Sequence, residues 1–232
     1  HWVAIVLMIC GGLPFTLYVA TLRGHYKALW RDQQVRGFIG FLLFSWFAVG
    51  SWLWLISDYA WLDAFRIASF SITSITTGTG FAVTDYTLWG SFAVLLCFYL
   101  MFVGFEIGAE LDALQVAFVL LKASLQQLVH PRAVIKQQYN KHNLDEDIVR
   151  SLITFSFFFA ITIALLAMGI TLPGVDWVTA LTGATSAVCN VGPGLGPVIG
   201  PTGNYSNLPN SAKWMLTAGM LLGRLEILTV LV

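Results

Sequence analysis

Five apolar runs, each close to the length of a bilayer-crossing helix, leave this chain few folds to choose from. A spanning helix takes about 20 predominantly apolar residues. Residues 2–22, 37–57, 86–105, 151–172 and 212–232 reach that length, the last interrupted by Lys213, Arg224 and Glu226. Composition agrees: 57% of residues are hydrophobic and 10% charged, against about 25% charged in soluble domains, and mean hydropathy is +0.77. The formal net charge is zero, so no long-range attraction to nucleic acid is expected. Cys10, Cys97 and Cys189 lie far apart in apolar sequence and form neither a disulfide framework nor a metal site. Cys10 and Cys97 are expected to pack between helices, and Cys189 behind the segment that follows it.

Two further stretches are uncharged yet unlike ordinary spans. Residues 67–84 and 177–200 each begin as a short helix and then break into Gly, Thr, Asn or Pro. Irregular backbone at membrane depth is tolerated only where protein buries it or it lines a water-filled path, so each reads as a re-entrant half-helix followed by an extended segment. The order span, short helix, Gly-rich break, span thus occurs twice. Asp63 opens the first short helix and Asp176 the second, each an N-cap or first-turn acid. Gly80 lies seventeen residues after Asp63, and Gly192 sixteen after Asp176. The expected architecture is all-α and polytopic: residues 1–36 hold one additional transmembrane helix and a linker, 37–149 one pore-loop repeat, and 150–232 another, truncated at its end. The apolar ends and the missing initiator Met carry the expectation of a longer parent protein. Basic residues concentrate at 23–36 and 122–150. The positive-inside rule makes those connectors cytoplasmic, so both re-entrant loops enter from outside.

The breaks carry the chemistry. The first is Thr76-Thr77-Gly78-Thr79-Gly80-Phe81 and the second Cys189-Asn190-Val191-Gly192-Pro193-Gly194. A potassium filter replaces the hydration shell with backbone carbonyl oxygens. Glycine reaches the dihedrals this requires, no carboxylate is needed, and a short helix aims its negative end at the cation. The same residues also fit tight turns or Gly-rich packing faces, and spacing alone leaves both readings open. Arg224 falls near the bilayer midplane, where a charge costs about 2.5–3.5 kcal/mol on insertion scales and therefore faces a cavity or a partner. No Ser/His/Asp set, metal-ligand spacing or phosphate loop occurs, so no enzyme and no cofactor is expected. His1, His25, His130 and His142 fall at the chain start or in basic connectors.

The stretches SITTGTGFAVTDYTLWGSF (74–92), LVHPRAVI (128–135), CNVGPGLG (189–196) and LLGRLEILTVLV (221–232), with GGLPF (11–15) and LWRDQQVRGF (29–38), resemble the Trk/Ktr/HKT superfamily of potassium transporters, the bacterial Trk-type membrane subunits above all. The resemblance implies four repeats around one pore, of which this chain would hold the tail of the second, then the third and fourth. It makes Gly80 and Gly192 the filter glycines and assigns potassium binding to Thr77, Gly78, Thr79, Gly80, Asn190, Val191 and Gly192. Among these, the Gly78, Thr79, Asn190 and Val191 carbonyls are the foremost ligands. It gives Arg224 a role in permeation below the filter; the alternative is a structural pairing within the bundle. It also implies passive or coupled potassium transport, a bacterial inner membrane, a homodimer and a cytoplasmic nucleotide-binding regulatory subunit. Potassium enters only as the transported ion.

The chain departs from the family at 105–114. A flexible Gly/Ser-rich gate is usual there, and Phe105-Glu106-Ile107-Gly108-Ala109-Glu110-Leu111-Asp112-Ala113-Leu114 replaces it. Glu106 and Glu110 share a helix face, either lining the pore or marking the end of the span. A non-conducting or incomplete membrane scaffold therefore stands as the alternative function.

Overall fold

A computed structural model of the chain describes residues 1–24, 28–57, 59–103, 138–139, 142–143 and 146–224. The 105–114 segment with Glu106 and Glu110, His25, His130 and Glu226 lie outside the described residues.

Three short helices come first: α1 (Trp2–Gly12), α2 (Phe15–Leu22) and α3 (Ala28–Arg31). The run expected to form one span at 2–22 is in fact two helices bent by 91°. The cause is local. Pro14 supplies no N–H, and a residue before proline is pushed out of the helical region; Leu13 accordingly sits at φ −85°, ψ 150°. Cys10 also differs from expectation, being exposed on α1. Ile5 and Met8 form the buried stripe, against Phe70, and a residue two positions past Met8 points to the opposite side of a helix.

Helix α4 (Gln33–Ile56) has 24 residues and is about 36 Å long, enough for a hydrocarbon core of about 30 Å. Among the described residues, its Val35–Ile56 portion is the one single helix long and apolar enough to cross a bilayer. Val35, Phe38, Leu42, Ser45, Val49 and Leu53 recur every three or four residues and are buried. Leu43, Phe44, Phe47, Trp54 and Leu55 are exposed on the remaining surface. So large an outward apolar face suits lipid rather than water.

Helix α5 (Trp61–Thr76) packs against α4 and α1. Its 16 residues span about 24 Å, short of a crossing. From Ile67 to Thr76 every residue is buried, including Ser69, Ser71, Thr73, Ser74 and Thr76. The threonine hydroxyls bond one turn back, Thr73 Oγ1 to the Ser69 carbonyl at 2.7 Å and Thr76 Oγ1 to the Ile72 carbonyl at 2.7 Å, whereas Ser71 Oγ and Ser74 Oγ find no partner among the described residues. Trp46 of α4 adds a bond from its indole N–H to Thr73 Oγ1 at 3.1 Å. Asp63 is a first-turn acid rather than the cap, and pairs with Arg66 at 2.8 Å.

A 3-10 turn (Tyr86–Leu88) leads into α6 (Ser91–Val103), so helix starts five residues later than the expected span at 86–105. Asp85 competes for the backbone there, accepting from the Thr87 amide at 3.0 Å and holding a turn in place of a helix. Gln138–Tyr139 and His142–Asn143 form a two-residue antiparallel ribbon, the one strand pairing among the described residues. Helix α7 (Glu146–Thr171) then packs on α8 (Trp177–Val188). Asp176 caps α8, its Oδ2 accepting from the Val178 and Thr179 amides at 3.1 and 3.4 Å, as its position before an apolar run predicts. After a second 3-10 turn (Tyr205–Asn207), α9 (Asn210–Arg224) packs on α8 and α7. Helix α6 touches both α5 and α8, and one apolar core, from Phe38 through Cys97 to Leu216, joins the two groups of helices.

Candidate functional site

Both glycine-bearing stretches leave their short helices at once, and in the same way. After α5, the Thr77 amide donates to the Thr73 carbonyl (2.9 Å), Gly78 to Ile75 (3.1 Å), and Thr79 and Gly80 both to Ser74 (2.9 and 3.3 Å). After α8, Cys189 donates to Thr185 (2.8 Å), Asn190 to Ala187 (3.2 Å) and Val191 to Ser186 (3.0 Å). The orphan carbonyls that end any helix are thus taken up by the amides of the segment that follows.

Backbone handedness repeats too. Gly78 and Gly80 have φ of +63° and +75°, while Asn190 and Gly192 have +51° and +106°. Each pair flanks one residue, Thr79 or Val191, that lacks a positive φ. Asn190 is the one non-glycine residue with positive φ among the described residues, and Asn tolerates that region better than most. Its side chain helps, donating from Nδ2 to the carbonyls of Val188 at 3.3 Å and Met220 at 3.5 Å. The register that matches these bonds pairs Ser74 with Ser186, Gly78 with Asn190 and Gly80 with Gly192.

The two stretches, more than a hundred residues apart, lie side by side. A Cβ placed on Gly78 would sit 3.6 Å from the Asn190 oxygen, and one on Gly80 only 2.5 Å from the Val191 oxygen. A Cβ on Gly192 would face Gly80 Cα at 3.9 Å. All seven residues expected at the ion site, Thr77 to Gly80 and Asn190 to Gly192, therefore belong to one structure. Their amides are largely spent on the short helices. Among the described residues, the carbonyls of Thr77, Gly78, Thr79, Gly80, Asn190 and Val191 accept no hydrogen bond. Backbone oxygens left free in this way beside one another are unusual in a folded protein and can coordinate a weakly hydrated cation without any charged side chain. Cys97 and Cys189 are both buried, as expected. Arg224 is exposed at the end of α9. The residue before it, Gly223, is buried against the Val188 carbonyl and lies close to Asn190 Nδ2.

Residues that sequence reasoning missed hold the loops that follow the two stretches. Asp85 Oδ2 accepts from Thr202 Oγ1 at 3.1 Å, joining the loop after the first stretch to the loop after the second. Thr182 Oγ1 of α8 accepts from the Leu195 amide at 3.1 Å and anchors the second loop. Tyr205 donates from its hydroxyl to the Gly192 carbonyl at 2.6 Å. A signal for them existed: Asp85-Tyr86-Thr87 and Asn204-Tyr205-Ser206 are the same pattern, an Asx cap, a tyrosine and a hydroxyl residue. Asn204 indeed accepts from the Ser206 amide at 3.0 Å, as Asp85 does from that of Thr87.

Burial pushes the Asp85 carboxyl up, but hydrogen bonds from the Thr87 hydroxyl, the Thr87 amide and the Thr202 hydroxyl outweigh it and hold the group below its ordinary value of 3.8. A lowered folded-state value means that the carboxylate's contribution is complete above the ordinary pKa and is lost as pH falls through the folded one. Asp85→Asn should therefore lower the melting temperature at pH 7, and the gap from the unsubstituted protein should close as pH drops below about 4. A gap that stays constant from pH 7 to pH 3 would exclude a role for the ionised group.

Over residues 1–232 the chain matches the family model "TrkH: Cation transport protein". It is 46% identical over 236 residues to the Trk system potassium uptake protein TrkI of Halomonas elongata, covering 100% of this chain and 48% of that protein. It is 32% identical over 237 residues to the Trk system potassium uptake protein TrkH of Escherichia coli, covering 99% and 48%. Among solved structures, the potassium transporter TrkH from Vibrio parahaemolyticus superposes with a TM-score of 0.87 at 27% identity, covering 98% of this chain and 50% of that one. The chain spans about half the length of the relatives it matches.

Proposed function

Since the chain belongs to the TrkH family of cation transport proteins, a family of membrane transporters, we propose that it contributes two strands of a potassium selectivity filter. The two units are then pore-loop repeats: α4, α5 and α6 around Thr77–Gly80, and α7, α8 and α9 around Asn190–Gly192. The shared register of Ser74 with Ser186 and of Gly80 with Gly192 supports this division. One observation carries the reading. Two adjacent strands spend most of their amides on the short helices and, Gly192 apart, keep their carbonyl oxygens free, the arrangement that replacing a potassium hydration shell requires.

The ends of α5 and α8 meet the strands, and a helix C-terminus favours positive charge nearby. In the arrangement that the resemblance implies, four such strands close the ring. Two do not, so conduction requires the rest of the relatives' length or a second copy of this chain. Arg224 in this reading places a fixed positive charge beneath the second strand and slows cation passage. Potassium uptake through a multi-pass protein of the bacterial inner membrane, as a homodimer with a nucleotide-binding regulatory subunit, is the setting proposed.

The test is ion density in the full-length protein. Crystals grown in rubidium or thallium salts should show anomalous peaks beside residues 78–80 and 190–192. Peaks only elsewhere would overturn the assignment.

A further inference from the structure

Of the carbonyls in the two strands, that of Gly192 is the exception: it accepts the hydrogen bond from Tyr205 at 2.6 Å. Gly192 has a positive φ and no side chain, so on its own side only the backbone dihedrals set the peptide group, while the ring of Pro193 fixes the other side. The tyrosine, by contrast, stands on a built support. Asn204 caps its 3-10 turn, and Lys213 Nζ of α9 donates to the Ser206 carbonyl at 2.7 Å, fastening the turn to the helix. Thr202, three residues upstream, is tied to Asp85. Burial pushes the Tyr205 hydroxyl up from its ordinary value of 10.0, the Ser186 hydroxyl offsetting part of this, so it remains a donor throughout the physiological range.

The first loop supplies an internal comparison. Tyr86 occupies the corresponding place in its own capped turn and is wholly buried. Its hydroxyl finds no hydrogen-bond partner among the described residues. The two tyrosines therefore share a place in the same local pattern, but only Tyr205, the less buried of the two, bonds a strand carbonyl.

We infer that Tyr205 is a positioning residue for ion selectivity, holding the Gly192 carbonyl in the orientation that shapes the outer ion site on the second strand. This rests on the filter reading above. The hydroxyl acts through the peptide group, not on the ion, and its removal frees that oxygen to turn away from the site.

The experiment uses the full-length protein in proteoliposomes, with potassium and sodium fluxes measured separately. Tyr205→Phe keeps the ring and removes the donor. It should lower the potassium-to-sodium ratio by about three- to tenfold, the range that one neutral hydrogen bond supports, while total cation flux persists. Tyr86→Phe should leave the ratio unchanged. If unsubstituted protein discriminates and Tyr205→Phe discriminates equally well, the inference fails. It fails too if Tyr86→Phe causes an equal loss, because the Gly192 bond would then not be the determinant. If the unsubstituted protein does not discriminate, the filter reading falls first and takes the inference with it. Should Tyr205→Phe not assemble, 3-fluorotyrosine at position 205 keeps fold and donor. The carbon-13 resonance of the Gly192 carbonyl should then shift, and an unmoved resonance overturns the inference.

Discussion

Gly80→Ser is expected to remove most of the preference for potassium over sodium in the full-length protein. Two costs fall on one atom. At φ +75° a Cβ is strained against the backbone, by about 1–2 kcal/mol for an ordinary residue. That Cβ would also lie 2.5 Å from the Val191 oxygen and 3.2 Å from Pro193 Cδ, and a backbone carbonyl cannot swing aside as a side-chain tip does. The strands must separate, which moves free carbonyls on both. A tenfold loss of selectivity needs only about 1.4 kcal/mol, within the range of the backbone strain alone and below that strain and the clash together, so a loss of tenfold or more is expected in reversal-potential or paired flux measurements. Gly192→Ser should be milder. Its φ of +106° is equally unsuited to a side chain, but the nearest atom, Gly80 Cα, is 3.9 Å away. Gly78→Asn should be mildest of all, because Asn190 already stands at the matching position with φ +51°. Unchanged permeability ratios in both serine variants would remove the filter assignment.

Gly223→Ala is expected to destabilise the fold more than any other glycine substitution in α9. An added methyl there would overlap the Val188 carbonyl and come within 3.0 Å of Asn190 Nδ2. Helix α9 would have to back away from the second strand, breaking the bond from Asn190 to the Met220 carbonyl. Overpacking of this kind costs about 1–3 kcal/mol, occasionally more, and the top of that range applies when a methyl fixed to a helix backbone meets a backbone carbonyl. Gly219→Ala is the control. Its methyl would meet Leu166 Cδ1 at 2.8 Å, the end of a flexible side chain that can turn. Thermal melting of the full-length protein in detergent should rank Gly223→Ala well below Gly219→Ala, and Arg224 should shift with the helix, changing flux as well. Equal melting temperatures would show that α9 does not approach the strand as described.

The two glycine positions differ in how far they could be foreseen. Gly80 is legible as part of a helix break, because Thr-Gly-Thr-Gly ends an uncharged helix-compatible run, although spacing alone fits a tight turn as well as a filter strand. Gly223 was not. It sits in an apolar run, where small residues are common, and only the passage of α9 beneath Val188 gives it a role. The loops divide likewise. The turn at Asp85-Tyr86-Thr87 was absorbed into an expected span, because hydropathy counts tyrosine and leucine and is blind to an aspartate that captures the Thr87 amide. Leu13–Pro14, within another expected span, proved to be a 91° bend: proline removes a donor, but hydropathy does not weigh it.

Sequence alone determined where helices can and cannot run: the apolar length of α4, the cap at Asp176, and the two breaks after Thr76 and Val188. Each of these depends on residues a few positions apart, through propensity, capping and the conformational freedom of glycine. The tertiary structure alone decided that the two breaks lie side by side, that Asp85 reaches Thr202, and that Tyr205 rather than Tyr86 holds a strand carbonyl. Those contacts join atoms more than a hundred residues apart, or tell apart two tyrosines in the same local pattern, and they depend on how closely whole helices pack.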